Sequence, residues 1–364
     1  MLDSDKFIKK LRSAGYTHCC VVPCSFSKHL INALINHEDE IEYLPCASEA
    51  VACSVAAGLR MSGMRPIVIV QSSGLTNMVS CITSLLKPYK IYFPIIVSWR
   101  TFLEGDSEIQ HAHLANKLPN LVSACGYTYQ ILDQDSEDNA ITQIKGCEER
   151  HKILLLNKNT FSSITLDSRH QIDLSKYPLR SEYLELLNQR YQRKDIVFVG
   201  TTGNTSREMY SYMPDTNNFY MAGNMGGALS IGLGAAKAGR RVIVCGGDAE
   251  FVMHMGALAT TGRYANKAID LTYLLFDNEA NASTGGQCTY QKHVNYRETA
   301  CSCDADVSPL IDNLDLFSTT LSLFDKNYGF KFSHIKAEYD GDIPRPTAEE
   351  IRASRLAFSI RDEK

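Results

Sequence analysis

Apolar and polar positions alternate along the first half of the chain in two rhythms. Helical spacing predicts helices over Lys6–Ser13, Lys28–Asn36 and the alanine-rich Glu49–Arg60. Short apolar runs predict strands at His18–Val22, Ile41–Leu44, Pro66–Val70, Ile91–Ser98 and Ile153–Leu156, the last of this series. Strands alternating with helices argue a doubly wound, mostly parallel sheet. From residue 166 to 194 the chain turns polar, carries Pro178 and ends in an amphipathic helix with Leu184, Leu187 and Tyr191 on one face. A second alternating series begins at Asp195-Ile-Val-Phe-Val199 and includes the apolar runs Arg241–Cys245 and Leu271–Phe276. The expected fold class is therefore α/β, with two doubly wound domains: residues 1–165, a linker and connecting helix over 166–194, and residues 195–364. A length of 364 residues leaves ample core for each.

Composition narrows the partners. Hydrophobic content of 44% with 21% charged residues is that of an ordinary globular protein. A net charge of −4, without a dense Lys/Arg stripe, gives no basis for nucleic-acid binding, so an anionic substrate has to be caught by local positive groups. No run approaches the roughly 18 apolar residues that span a membrane. The start, Met-Leu-Asp-Ser-Asp-Lys-Phe, lacks the apolar core of a signal peptide, so a cytoplasmic protein is expected. Twelve cysteines at irregular spacing, without paired CxxC knuckles, read as reduced thiols packed as small hydrophobes.

Candidate chemistry concentrates at the ends of two apolar runs. Gly246-Gly247-Asp248-Ala249-Glu250 follows Arg241–Cys245, and thirty residues beyond Asp248 stands Asn278 in Asp277-Asn278-Glu279-Ala280, after Leu271–Phe276. In open parallel sheets ligands gather at the carboxyl ends of strands. Asp248 and Asn278 would stand side by side there and offer hard oxygens to Mg2+, whose shell phosphate oxygens complete. Asp after Gly at a strand end is also ordinary turn chemistry. A second element is Met221-Ala-Gly-Asn-Met-Gly-Gly-Ala-Leu-Ser-Ile-Gly-Leu-Gly-Ala-Ala236, whose glycines at a loop-to-helix junction let backbone N–H groups approach a phosphate. Gly232-Leu-Gly234-Ala-Ala-Lys237 lacks the third glycine of a dinucleotide fingerprint, which weakens a nicotinamide reading.

The run Gly-Asp-Ala…Asp-Asn resembles the cofactor motif of thiamine-diphosphate enzymes, and Gly223-Asn-Met-Gly226 resembles their segment beneath the aminopyrimidine. Far upstream, Ala47-Ser48-Glu49-Ala50-Val51-Ala52 with Ala56-Ala57-Gly58 is similar to their activating-glutamate helix. Finer matches point to the phosphonopyruvate and sulfopyruvate decarboxylases. These are Val22-Pro23-Cys24-Ser25, Gln71-Ser-Ser-Gly-Leu-Thr-Asn-Met78, Ser98-Trp-Arg100, Glu108-Ile-Gln-His111, Thr201-Thr-Gly-Asn-Thr-Ser-Arg-Glu208, Met255–Gly262 and Ser283-Thr-Gly-Gly-Gln287. They fall in the family's order across roughly residues 20 to 350. Four positions depart from its pattern: Ala249 replaces the motif's last glycine, Ser72 and Thr76 replace an asparagine and a glycine, and Cys24 replaces an aspartate.

The resemblance implies thiamine diphosphate and Mg2+ as cofactors and decarboxylation of a 3-substituted pyruvate, 3-phosphonopyruvate to phosphonoacetaldehyde before sulfopyruvate. A carboligase using the same intermediate and a non-catalytic cofactor-binding subunit are the alternatives. Glu49 would hydrogen-bond the pyrimidine N1′ and promote removal of the thiazolium C2 proton, although a glutamate at a helix N-terminus is also favoured by the helix dipole. Met225 would bend the cofactor, or be core alone. Gly223 would accept from the pyrimidine amino group, with Gly226 beside it, and Thr202, Gly203, Gly247, Asp248, Ala249 and Asn278 would meet the diphosphate and metal. Mg2+ would be held by Asp248, Asn278 and the carbonyl of Ala280. Arg100 is the expected clamp for the substrate anion, or a solvated arginine. His111 is expected to move a proton or bind the carboxylate, and Ser25 and Asn77 to line the pocket. The resemblance also implies a homo-oligomer, at least a dimer, with the active site between subunits.

Overall fold

In the computed structural model, which describes residues 1–101, 108–192, 194–264, 268–290, 292–339, 341 and 343–359, the chain divides into two compact units. The first comprises Met1–Gln171 with Asn281–Gln287, and the second Ile172–Ala280 with Cys288–Lys364.

The first unit is built on β1 (His18–Val21), β2 (Glu42–Pro45), β3 (Pro66–Gln71), β4 (Ile95–Ser98), β5 (Thr128–Ile131) and β6 (Lys152–Leu156), in the order β2-β1-β3-β4-β6-β5. Every pairing in it is parallel. The expected helices form at Ser4–Ser13, Lys28–Asn36 and Glu49–Met61. The strand expected over Ile91–Ser98 is shorter, because Pro94 has no N–H to give the ladder and the strand begins one residue later. Strand β5, an edge strand, is an addition to the expected series. The excursion 281–287 returns to this unit, where Gln287 Nε2 donates to Asn32 Oδ1 at 3.0 Å with both side chains buried.

The second unit contains β7 (Ile196–Gly200), β8 (Asn217–Tyr220), β9 (Arg241–Gly247) and β10 (Asp270–Asp277). A two-stranded ribbon of β11 (Ala280–Asn281) and β12 (Gln287–Cys288) follows, and β13 (Asp306–Val307) and β14 (Gly329–Lys336) complete the sheet. Its order is β13-β14-β10-β9-β7-β8, again all parallel. The helix Arg180–Tyr191, expected as part of the connection, lays Leu184, Leu187 and Tyr191 into this unit's core beside Ile196, Phe198 and Ile243.

In each sheet the chain order reverses beside its first strand, where parallel sheets open a crevice for ligands. In the first sheet it lies between β1 and β3, and in the second between β7 and β9. Among the described residues no cysteine is in a disulfide, and most of the twelve are buried, as expected for small hydrophobes.

The helix Ala228–Lys237 packs against β9 so closely that a Cβ at Gly232 would lie 2.5 Å from Val244 Cγ2. Gly232→Ala should therefore destabilise the protein by about 1–3 kcal/mol through overpacking, despite alanine's better helix propensity. Gly234 on the same helix has open space around it, and Gly234→Ala should stabilise by about 0.5–1 kcal/mol. Denaturant unfolding of the two variants checks both signs.

Candidate active site

Three groups of expected residues lie at the carboxyl ends of strands. The first is Asp248, which follows β9 and opens the helix Asp248–Met253. Pairing of Phe276 with Gly247 sets Asp277, the last residue of β10, beside it. Both carboxylates are buried and share a hydrogen bond. Burial, then the neighbouring Asp277 charge, pushes the Asp248 carboxyl up to about 8. Burial raises Asp277 too, but His334 Nε2 and Lys336 Nζ, each 2.7 Å away on β14, hold it down to about 2. Thr289 Oγ1 and the Ala249 N–H also donate to Asp248.

These observations fit Mg2+. Asp248 is a desolvated carboxylate against a second anion, a charge imbalance that a divalent cation would relieve. Asn278 is buried immediately after β10, and Ala280 stands half-buried at the start of the ribbon. Between them Glu279 takes a left-handed φ of 58°, held by its N–H to Asp277 Oδ1 at 3.0 Å and its carboxylate on Lys336 at 2.5 Å. Among the described residues no three His, Cys, Asp or Glu side chains group as a metal site. The expected set needs only one carboxylate, an amide and a carbonyl, with diphosphate oxygens completing the shell.

The surroundings suit a diphosphate. Thr201, at the end of β7, keeps a buried Oγ1 with no hydrogen-bond partner among the described residues. Beside it Gly247 leaves room, since even a Cβ there would come no nearer than 3.9 Å to the Thr201 methyl. Thr202 and Gly203 (φ 83°) lead into the helix Asn204–Tyr212, whose first N–H groups favour anions.

The glycine-rich segment forms a turn, with Asn224 and Gly226 at positive φ and the Gly227 N–H on Asn224 O at 3.0 Å. Gly223 and Met225 are half-buried in it. A Cβ at Gly226 would strike the His254 ring, which explains that glycine. A residue missed from sequence pins the turn's far end: Glu250, wholly desolvated, accepts from the Ala228 N–H at 3.3 Å and from Tyr273 Oη at 2.5 Å. Tyr273 reaches it across Gly246, where a side chain would collide with the hydroxyl. Burial pushes the Glu250 carboxyl up to about 7 against these bonds.

The second group, in the first unit, surrounds Glu49. Ser48 caps the helix Glu49–Met61, and Glu49 is only 5% exposed despite its place in the first turn. A Cβ at Gly74 would lie 2.3 Å from Glu49 Oε1, so the bare glycine makes room for the carboxylate. Asn77, expected in the substrate pocket, donates Nδ2 to Glu49 Oε2 at 2.9 Å.

The third group gathers at the ends of β1, β3 and β4. Arg100 is buried with its guanidinium 4.3 Å over the Phe26 ring, and its Nη1 reaches Ser25 Oγ at 3.2 Å and Gln71 Oε1 at 3.3 Å. Cys24 Sγ donates to the same Gln71 oxygen at 3.1 Å and accepts from Ser98 Oγ at 3.0 Å, so it sits buried behind the cluster. Glu108, given no role from sequence, joins Arg100 Nη2 at 3.1 Å and His111 Nε2 at 3.3 Å. His111 is thus placed in the Arg100 cluster. A carboxylate and an imidazole three residues apart in Glu108-Ile-Gln-His111 were the available signal.

Gly74→Ala should push Glu49 out of place and slow C2 proton exchange of bound thiamine diphosphate by about 10²-fold. Gly58→Ala, which meets nothing within 4 Å, should leave the rate unchanged. Deuterium exchange followed by NMR checks the pair.

Comparison with known proteins bears on both units. Residues 4–112 match the family described as thiamine pyrophosphate enzyme, N-terminal TPP binding domain, and residues 199–318 match the C-terminal TPP binding domain. The chain is 31% identical to a phosphonopyruvate decarboxylase of Streptomyces viridochromogenes, over 98% of this chain and 95% of the relative. It is 32% identical to a phosphonopyruvate decarboxylase of Streptomyces hygroscopicus, over 88% and 84%. A sulfopyruvate decarboxylase of Methanosarcina acetivorans is 27% identical over 78% of each. Among the described residues no helix is long and apolar enough to cross a membrane. The chain belongs to the thiamine-diphosphate enzymes, in the family of phosphonopyruvate and sulfopyruvate decarboxylases.

Proposed function

We propose that the protein decarboxylates 3-phosphonopyruvate to phosphonoacetaldehyde and CO2, using thiamine diphosphate and Mg2+. The observation that carries an enzymatic over a purely binding role is Glu49. A desolvated carboxylate, accommodated by Gly74 and oriented by Asn77, has no purpose in a subunit that only stores a cofactor.

Thiamine diphosphate, when bound, supplies the electron sink that loss of CO2 from a 2-oxo acid requires. The chain does the rest. Asp248, Asn278 and the Ala280 carbonyl would hold the metal, and Thr201 and the start of the helix Asn204–Tyr212 would take diphosphate oxygens. The Gly223–Gly227 turn, fixed through Ala228 to Glu250, would position the pyrimidine. Glu49 would hold a proton at the pyrimidine N1′. Arg100 would bind the anionic group on C3, with Ser25 and Gln71 steering its guanidinium. His111 would bind the substrate carboxylate or move a proton. A homo-oligomer of at least two chains belongs to this reading, as the family resemblance implies for the Glu49 and Asp248 halves of the cofactor site.

CO2 release from phosphonopyruvate should require both cofactors, exceed release from sulfopyruvate and pyruvate, and fall by about 10²–10⁴-fold in Glu49→Gln. Full cofactor binding without CO2 release from any of the three acids would instead support the binding-subunit alternative.

A further inference from the structure

A phosphonate and a sulfonate are both tetrahedral, carry three oxygens and pair with a guanidinium in the same way. They differ in one respect. A phosphonate takes up a proton near neutral pH, as a phosphate monoester does with its second pKa of about 6, so it can present a P–O–H donor beside its acceptor oxygens. A sulfonate stays ionised and presents acceptors alone.

The Arg100 cluster contains a group that responds to this difference. Glu108 Oε2 lies 3.1 Å from Arg100 Nη2, and it also receives Gln110 Nε2 at 2.9 Å and His111 Nε2 at 3.3 Å. The Glu108 side chain is 15% exposed and that of Arg100 7%. A trap for any anion would be built from cations and neutral donors. Here an acceptor-only carboxylate is set against the guanidinium, and in so desolvated a place it repels every anion that brings no proton for it.

We infer that Glu108 is a specificity-determining residue, which favours a phosphonate over a sulfonate by accepting a hydrogen bond from the phosphonate hydroxyl while Arg100 binds the remaining oxygens. This rests on the proposed function. Gln110 and His111 hold the carboxylate in register with the guanidinium. With a sulfonate, two acceptors face each other and the carboxylate becomes the repulsive element that excludes the wrong substrate. A site built to hydrogen-bond a hydroxyl rejects the analogue lacking it because its own polar group is left unpaired.

The test compares kcat/KM for phosphonopyruvate and sulfopyruvate in cofactor-loaded wild type, Glu108→Gln and Glu108→Asp. The glutamine keeps the shape and offers a donor to a sulfonate. The ratio favouring phosphonopyruvate should drop by about tenfold or more in Glu108→Gln, with sulfopyruvate turnover rising, and be largely kept in Glu108→Asp. Equal losses on both substrates would overturn the inference and leave Glu108 as a support for Arg100 alone. Calorimetric titration of the same proteins with methylphosphonate and methanesulfonate gives a second reading that needs no turnover. Preference for methylphosphonate in wild type, absent in Glu108→Gln, supports the assignment, and no preference in wild type overturns it. Failure of the wild type to release CO2 from either acid would sink the proposed function, and the titration would still decide the role of Glu108.

Discussion

Two carboxylates buried side by side, Asp248 and Asp277, set the terms for the second unit. Parallel pairing of β9 with β10 leaves no choice about their proximity, because Phe276 opposes Gly247 and each aspartate is the next residue. Two adjacent anions out of water are costly unless something cationic answers them. Among the described residues only one is answered. His334 and Lys336 on β14 neutralise Asp277, while Asp248 is left desolvated with hydrogen bonds from Thr289 and the Ala249 N–H. The difference separates the two: Asp277 is a fixed strut, and Asp248 is the carboxylate proposed here as the cation's ligand.

The Glu49 side of the chemistry follows the same rule of making a polar group fit by removing a neighbour. Gly74 withdraws a side chain so that a glutamate can turn inward from a helix N-terminus, and Asn77, one turn on, gives it a donor. Gly246 does likewise for the Tyr273 hydroxyl that reaches Glu250. Glycines in these segments are thus read as room made for another residue's polar atom, as well as for a ligand.

Much of this was legible in the sequence, and the reasons for the rest are specific. Strands flanked by glycine and built from β-branched residues, such as β3, β7 and β9, announced themselves by composition. Strand β14 did not: Gly329–Lys336 alternates apolar and polar residues like a half-exposed strand, yet Lys331, Ser333 and Lys336 are buried because their polar ends find Asp270, Ser308 and Asp277. Asp248 and Asn278 were identifiable by their places at strand ends. Their partners Thr289, His334 and Lys336 were not, since only the sheet order brings β14 beside β10. Glu108 was visible within a motif but without a role until Arg100 was seen to meet it.

The claim that Asp248 stands ready for a divalent cation through which the diphosphate is held is tested most directly by titrating thiamine diphosphate into the protein calorimetrically, with Mg2+ and with excess chelator. Binding should be tight with Mg2+, lost with chelator, and weakened in Asp248→Asn, which removes the anionic ligand. Equal affinity with and without the metal would contradict it.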